Sequence, residues 1–403
     1  MDITRILTIL TIAASTVAPV ATAGAQIATI APAQVIESPP DPAPWPSGEA
    51  YIGRMDNHRN TLLVAPSAGR AAYVYTRQDA NAPWIYSAEL VSPDGPVFFN
   101  DVALHGDTAA MSVIRPTETG DVGLAFVHVF TRGAQGWQYS QTLAEPASAP
   151  PRPEYFGYRF DLSTDTLAVP NFITGVVYVY ERNEQGPFEF RQELRADAAG
   201  AFGFDVAIDR KTMLVGAPGS AAHVFTRTAS GWAHTGTLLP PPTTDAGGFA
   251  EEVALDGRTA VVSAPWADQQ SDPYFTTGTA FVYRRVHNAW LLEAQLSDPI
   301  ENEGLFGYVV EVQGDQIVVN AWGRPRETNA LTERLLVFER HQGSWRPVAS
   351  MSREGEFGFG YIVSWSGKDL ITSAPSAPTE NPAFEGELLH YVIPRQPNQP
   401  AAR

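Results

Sequence analysis

Among the 403 residues, the side chains best suited to hold a ligand are Trp266, Asp268, Asp272, Tyr274, Phe275, Trp322, Arg324 and Arg326. They fall in unusually long connecting segments, 266–277 and 322–332, and a third such segment, 376–385, carries Phe384. Aromatic rings and Arg are the residue types that anchor interfaces, and long insertions on a rigid scaffold are where binding residues collect. Bond-breaking chemistry leaves fewer traces. The eight His form no H-E-x-x-H and no pair at helical spacing. A nucleophile elbow, a phosphate loop and a dinucleotide fingerprint are all missing. Glu251 and Glu252 adjoin, but successive residues of a strand point to opposite faces and do not share a substrate. With no Cys, disulfides, thiolate metal sites and Cys nucleophiles are excluded. The expectation is a ligand-binding loop set with no catalytic residue, no metal and no cofactor.

The net charge of −17 argues against nucleic acid and anionic membrane surfaces as partners, since both repel it. An apolar share of 44% is that of a globular protein. Residues 1–25 read as a secretory signal peptide. Arg5 lies near the start, an apolar run follows from Ile6, and Ala21-Thr22-Ala23 and Ala23-Gly24-Ala25 both fit the cleavage pattern. The mature chain then starts near Gly24 or Gln26. The run is short for a span and is broken by Ser15, Thr16 and Pro19. The expected product is a secreted or periplasmic monomer, not inserted in the membrane after cleavage.

The loops must be positioned by the rest of the chain, which is one repeat read seven times. Phe156-Gly157-Tyr158, Phe202-Gly203-Phe204, Phe306-Gly307-Tyr308 and Phe357-Gly358-Phe359 open similar segments, with Phe249-Ala250, Phe99-Asn100 and Ile52-Gly53 as weaker copies. The second residues of these pairs are 47, 57, 46, 47, 57 and 51 positions apart, a period that points to a propeller. Each unit continues with an apolar run such as Asp205-Val206-Ala207-Ile208, then a tight turn such as Asp256-Gly257-Arg258. A second strand ends in Ala-Pro, as at Ala217-Pro218, where the missing N–H stops the ladder. A third strand alternates aromatic and β-branched residues, as in Tyr178-Val179-Tyr180, and an Arg follows it in six units: Arg77, Arg132, Arg182, Arg227, Arg285 and Arg340. So regular a series reads as a structural ring. His128 and His223 take the aromatic place in their units and read as strand residues. A fourth strand runs from an aromatic to an apolar residue six positions on, as in Trp232 and Leu238. Four antiparallel strands in each of seven units describe an all-β, seven-bladed β-propeller over 26–394, with blades starting near 52, 99, 156, 202, 249, 306 and 357.

The seventh unit lacks its fourth strand, since residues 395–403 form a polar, Pro-rich tail. Ala33-Gln34-Val35-Ile36-Glu37-Ser38-Pro39 resembles Ser87-Ala88-Glu89-Leu90-Val91-Ser92-Pro93. The expectation is that a closing strand within 27–36 pairs into the last blade and removes its exposed edge.

The order Phe-Gly, Val-Ala-Leu, Asp-Gly, Gly-Ala-Pro is similar to the FG-GAP repeat of integrin α-chains and many secreted bacterial proteins, best seen in Phe202-Gly203 with Gly216-Ala217-Pro218. The resemblance implies a propeller, export, and commonly a role in binding or adhesion. Some members hold calcium in a D-x-D-x-D-G loop. Here Asp161-Leu162-Ser163-Thr164-Asp165 comes closest with two carboxylates, too few for an ion that takes six to eight oxygens, so no calcium site is carried over. Three functions stay open: a non-catalytic binding or adhesion module for a protein or glycan, an extracellular hydrolase or lyase on the propeller scaffold, and a purely structural envelope protein.

Overall fold

The computed structural model describes residues 27–37, 52–117, 122–146, 155–183, 186–196, 201–242, 244–267, 277–299, 304–323, 332–354, 358–374 and 386–394. Within them the chain is all-β: seven antiparallel sheets form the seven blades. The inner strands are Ile52–His58, Val97–His105, Asp161–Leu162, Val206–Asp209, Val253–Asp256, Gly304–Gln313 and Val363–Ser366. Each contacts the next in order, and the seventh contacts the first, so the ring is closed. Second strands such as Thr212–Ala217 are buried along their whole length, because they are sandwiched between neighbouring blades.

The closing strand is present. Gln34–Ile36 pairs antiparallel with the outer side of Glu387–Val392, matching Val35 to Leu389. The pleat turns Val35 outward, 49% exposed, and buries Ile36 among Ile52, Tyr73, Ile371 and Leu388. Gln34 carries a second closure. Its Nε2 donates to the Trp84 carbonyl at 2.9 Å and its Oε1 accepts from the Trp84 amide at 2.8 Å, which ties the last blade to the first. Gln141 makes the same pair with Phe188, and Gln192 with Trp232. The N-terminal strand therefore does what the fourth strand does in other blades. Two sheets gain a fifth, two-residue strand. Ala28–Thr29 lies parallel on the outer strand of blade six, and Ala68–Gly69 joins the inner edge of blade two.

The arginine series has the structural role expected of it. The guanidinium carbons of Arg77, Arg132, Arg182 and Arg285 lie 4.5–5.9 Å from the ring that opens their own fourth strand. Their donors reach the preceding blade: Arg132 to Thr61, Arg182 to Thr108, Arg285 to Thr212. Arg77 is the most buried of those that pair with a carboxylate, and it clamps Asp369 across the closure at 2.5 and 2.8 Å. In blade seven the aromatic-Gly pair in the recurring place is Phe359-Gly360. Phe359 is fully buried, and the Gly360 amide donates to the Ser373 carbonyl as Gly203 does to Gly216. Phe357, two residues earlier, lies outside the described residues.

Candidate binding site at the axial mouth

Apart from Val97 and Phe98 of blade two, which pair with Ala68–Gly69, the inner strands have one edge without a strand partner, and in a propeller those edges face the axis. Their amide groups still need acceptors. The repeat supplies them as carboxylates reaching one blade forward. Asp56 accepts from the Leu104 amide at 2.7 Å, Asp101 from Phe160 at 3.1 Å, Asp161 from Ile208 at 2.5 Å, Asp205 from Val253 at 2.7 Å, and Glu252 from Val310 at 3.4 Å. At the closure Ser364 takes this role, accepting from the Asn57 amide at 2.7 Å.

These acids, with Glu311, line a cavity of about 300 Å³ walled by the inner strands of all seven blades. Two guanidiniums stand among them. Arg159 bonds Glu252 at 3.0 Å and lies 3.9 Å from Asp205, while Arg54 lies 3.9 Å from Asp101. Six carboxyls around two cations leave the channel acidic. Burial pushes Asp56 and Asp161 up to about 7, against the lowering effect of their amide bonds, and Asp101 to about 6, against Arg54 first and then its amide bonds. Burial also raises Glu252, to about 7, with Arg159 opposing and Asp205 adding to the rise. Glu311 is raised well above the carboxylate range, first by burial and then by repulsion from Glu252, Asp56, Asp161 and Asp205.

The residue that follows the aromatic-Gly pair comes just before or within its inner strand, and the Gly amide before it bonds a carbonyl near the end of the second strand, as in Gly203 to Gly216 and Gly360 to Ser373. That residue is Tyr158, Phe204, Tyr308 and Tyr361 in four blades. Tyr308, Tyr361 and Trp322 form a platform: their centroids are 5.5–5.7 Å apart in every pair, with ring planes 16–23° from parallel. Tyr361 both lines the cavity and is 39% exposed. Trp322 is half-buried, its Nε1 3.4 Å from the Phe359 carbonyl. Tyr158, Phe172 and Phe204 make a second cluster with edge-on and tilted contacts at 5.2–5.7 Å, and Arg159 lies over Phe204.

The sequence-derived loop set is only partly within the described residues. Trp322 joins the platform, but from the strand Gln316–Gly323, where it pairs with Leu305 and Glu333, and not from the connecting segment in which the sequence placed it. Trp266 is half-buried beside Gly248, and its Nε1 donates to Glu251 at 2.8 Å, a packing role at the rim of blade five. Asp268, Asp272, Tyr274, Phe275, Arg324, Arg326 and Phe384 lie outside the described residues. Asp161 and Asp165 turn to different partners, the Ile208 amide and Arg227. Among the described residues no group of three or more His, Asp or Glu is arranged to hold a metal ion. The axial carboxylates and the partners of Trp322 are what sequence reasoning missed. Their signal was an acid recurring before the apolar run (Asp101, Asp205, Glu252) and an aromatic recurring after the Gly (Tyr158, Phe204, Tyr308).

No protein-family model matches the sequence, and no curated protein is significantly similar to it. Solved structures do resemble it. The periplasmic gluconolactonase PpgL of Pseudomonas aeruginosa is 16% identical over 83% of this chain and 96% of its own, with a TM-score of 0.52. YCF48 bound to a D1 peptide is 13% identical over 91% of this chain and 100% of its own, with a TM-score of 0.50. A putative 6-phosphogluconolactonase from Bacteroides uniformis is 10% identical over 73% and 85%, with a TM-score of 0.49. At such identities the likeness is one of fold.

Proposed function

We propose that the protein is an exported FG-GAP-type propeller that works as a non-catalytic binding or adhesion module, taking a protein or glycan on the face around the axial mouth. The observation that carries this reading is the Tyr308–Trp322–Tyr361 platform beside an open acidic cavity. Near-parallel rings offer a flat apolar surface to a sugar face or a peptide, and the carboxylates below offer hydrogen-bond acceptors. YCF48, which has a similar fold, is bound to a D1 peptide, an arrangement in keeping with this reading. Purified mature protein applied to protein and glycan arrays tests the reading, with Trp322→Ala alongside. A hit that Trp322→Ala weakens by about 2 kcal/mol or more supports it. Hits unchanged by this substitution, while the variant melts normally, contradict it.

A hydrolytic reading of the same channel has one observation in its favour. Glu252, Asp161 and Asp56, held near 7, have the proton affinity of general acids and bases, and Arg159 bonds Glu252 at 3.0 Å among them. PpgL is a gluconolactonase on a similar fold. Turnover of a sugar lactone by the wild type, lost in Glu252→Gln, would favour this reading over the first.

A further inference from the structure

We propose that blade four carries a site for one divalent transition-metal ion of the Zn²⁺ class, held by Nδ1 of His223, Nε2 of His234 and the hydroxyl of Thr237.

The sheet brings these three donors together. His223 lies near the start of the third strand, Ala221–Thr228, and pairs with Thr237 near the end of the fourth, Gly231–Leu238. Paired residues share a face, as do residues two apart on one strand, so Phe225 and its partner His234 project on the same side. His234 and Thr237 are three positions apart, which in a regular strand would put them on opposite faces. The bulge between Val224 and Phe225 leaves Thr235 as the extra residue and returns both to one face. Nε2 of His234 is then 3.3 Å from Nδ1 of His223 and 3.4 Å from Oγ1 of Thr237.

These spacings are long for hydrogen bonds, which centre on about 2.9–3.0 Å. They match the edge of a coordination tetrahedron. Ligand atoms about 2.0–2.1 Å from Zn²⁺ lie about 3.3–3.4 Å from one another. Burial, with His234 adding to it, holds His223 below the usual imidazole range, so at neutral pH its ring is uncharged and can offer a lone pair. Its Nε2 is buried without a hydrogen-bond partner among the described residues, so Nδ1 is the atom that meets the ion. The way in is open. His234 and Thr237 are exposed, and with His223, Arg195 and Leu239 they line a surface cavity of about 440 Å³. Glu193 engages Arg195 at 3.0 Å and offsets its repulsion of a cation.

Blade two shows the same frame without the second imidazole. His128 holds the place of His223 and pairs with Thr142, but Tyr139 stands where His234 does. There Nδ1 of His128 closes on Oγ1 of Thr142 at 2.8 Å, an ordinary hydrogen bond, and Tyr139 closes on the same hydroxyl at 2.8 Å. The wider spacing of blade four goes with the two imidazoles. Imidazole donors suit Zn²⁺, Cu²⁺ and Ni²⁺, whereas Ca²⁺ and Mg²⁺ take oxygens. Three donors leave one tetrahedral position for water or for a side chain of a bound partner. A set with no anionic ligand holds its ion loosely, so protein prepared without added metal should carry none and melt alike with and without a chelator.

The test uses the full mature chain without an affinity tag, stripped with EDTA and dialysed. Zn²⁺ is titrated by calorimetry and Co²⁺ by visible absorption. The expected result is one Zn²⁺ per chain and a Co²⁺ spectrum with the intense bands of a four-coordinate ion. A second-shell partner of a ligand is worth about 10–100-fold in affinity. Removing a ligand outright, as in His234→Ala, should therefore weaken Zn²⁺ by about 100-fold or more, and Thr237→Val by about tenfold. His341→Gln, an exposed imidazole on blade six, should change nothing. Excess Zn²⁺ should raise the melting temperature of the wild type and of His341→Gln but not of His234→Ala, and without metal all three should melt together. No uptake by the wild type, or uptake that survives His234→Ala, would overturn the site. Uptake that falls equally in His341→Gln would overturn it as scattered binding to surface imidazoles. Affinity unchanged in Thr237→Val would overturn the three-donor set.

Discussion

Removing the closing strand, residues 27–37, should cost a large part of the protein's stability. Ile36 is 3% exposed, and losing a buried Ile side chain costs about 2–5 kcal/mol. Gln34 makes two hydrogen bonds to Trp84, each worth about 1 kcal/mol net. The pairing with Leu388–His390 and the Ala33 amide bond to the His390 carbonyl are lost as well. Together these give about 4–7 kcal/mol, set against a typical total of about 5–15 kcal/mol. Urea unfolding followed by far-ultraviolet circular dichroism measures it, and the point variants divide it. Ile36→Ala should lower the stability by about 2–4 kcal/mol and Gln34→Ala by about 1–2 kcal/mol. Val35→Ala, at a side chain facing solvent, should cost about 0.5 kcal/mol. The deletion should also aggregate, because the outer edge of Glu387–Val392 becomes a free template. If Ile36→Ala and Val35→Ala cost the same, or if the deletion unfolds at the wild-type urea concentration, the closure argument fails.

Asp369→Ala should destabilise by about 3–5 kcal/mol, because it strands the Arg77 guanidinium in a site only 2% exposed, and thermal melts check this. The melting temperature should rise as pH falls from about 8 to about 5. Asp56, Asp161 and Glu252 bind protons in the fold up to about 7, whereas unfolded carboxyls release them near 4, so their stabilising protonation is lost as pH rises through 7. Asp369 works the other way at the acid end. Burial alone would raise it, but His390 and Arg77 hold it below the usual range, so its contribution is lost as pH falls below about 4. Asp161→Asn with Glu252→Gln should flatten the slope between 5 and 8, and a slope they leave unchanged would assign it to net charge instead. A chelator such as EDTA should leave the melting temperature unchanged, since a ligand stabilises only by binding the native state. A fall reversed by Ca²⁺ would show a site in the hairpins.

The propeller was legible because its period is written into every unit, and each unit's strands are bounded by turn chemistry that local sequence determines. The closing strand was legible by its likeness to a fourth strand, and Gln34, matching Gln141 and Gln192, was a further sign that went unread. The site was less legible, for two physical reasons. Asp56 and Leu104 are 48 residues apart, and Asp101 and Phe160 are 59 apart, so only ring closure reveals that each acid serves the next blade. Periodicity also hid function in plain view. Tyr308 and its counterparts read as repeat markers, whereas their shared position gathers them into two clusters, Tyr308 with Tyr361 and Tyr158 with Phe204, of which Tyr361 lines the cavity. Trp322 reads as a loop residue but ends the strand Gln316–Gly323, and its stacking partners are Tyr308 of its own blade and Tyr361 of the next, which no local window joins.

The central claim, that a partner sits on the axial mouth, is tested most directly by hydrogen–deuterium exchange of the mature protein with and without a binding partner from the arrays. The account predicts protection concentrated in the peptides that carry Tyr308, Glu311, Trp322 and Tyr361, with the outer strands unchanged. Protection confined to outer strands such as Gly231–Leu238 or Ala289–Leu296, with the mouth exchanging as in the free protein, would contradict it.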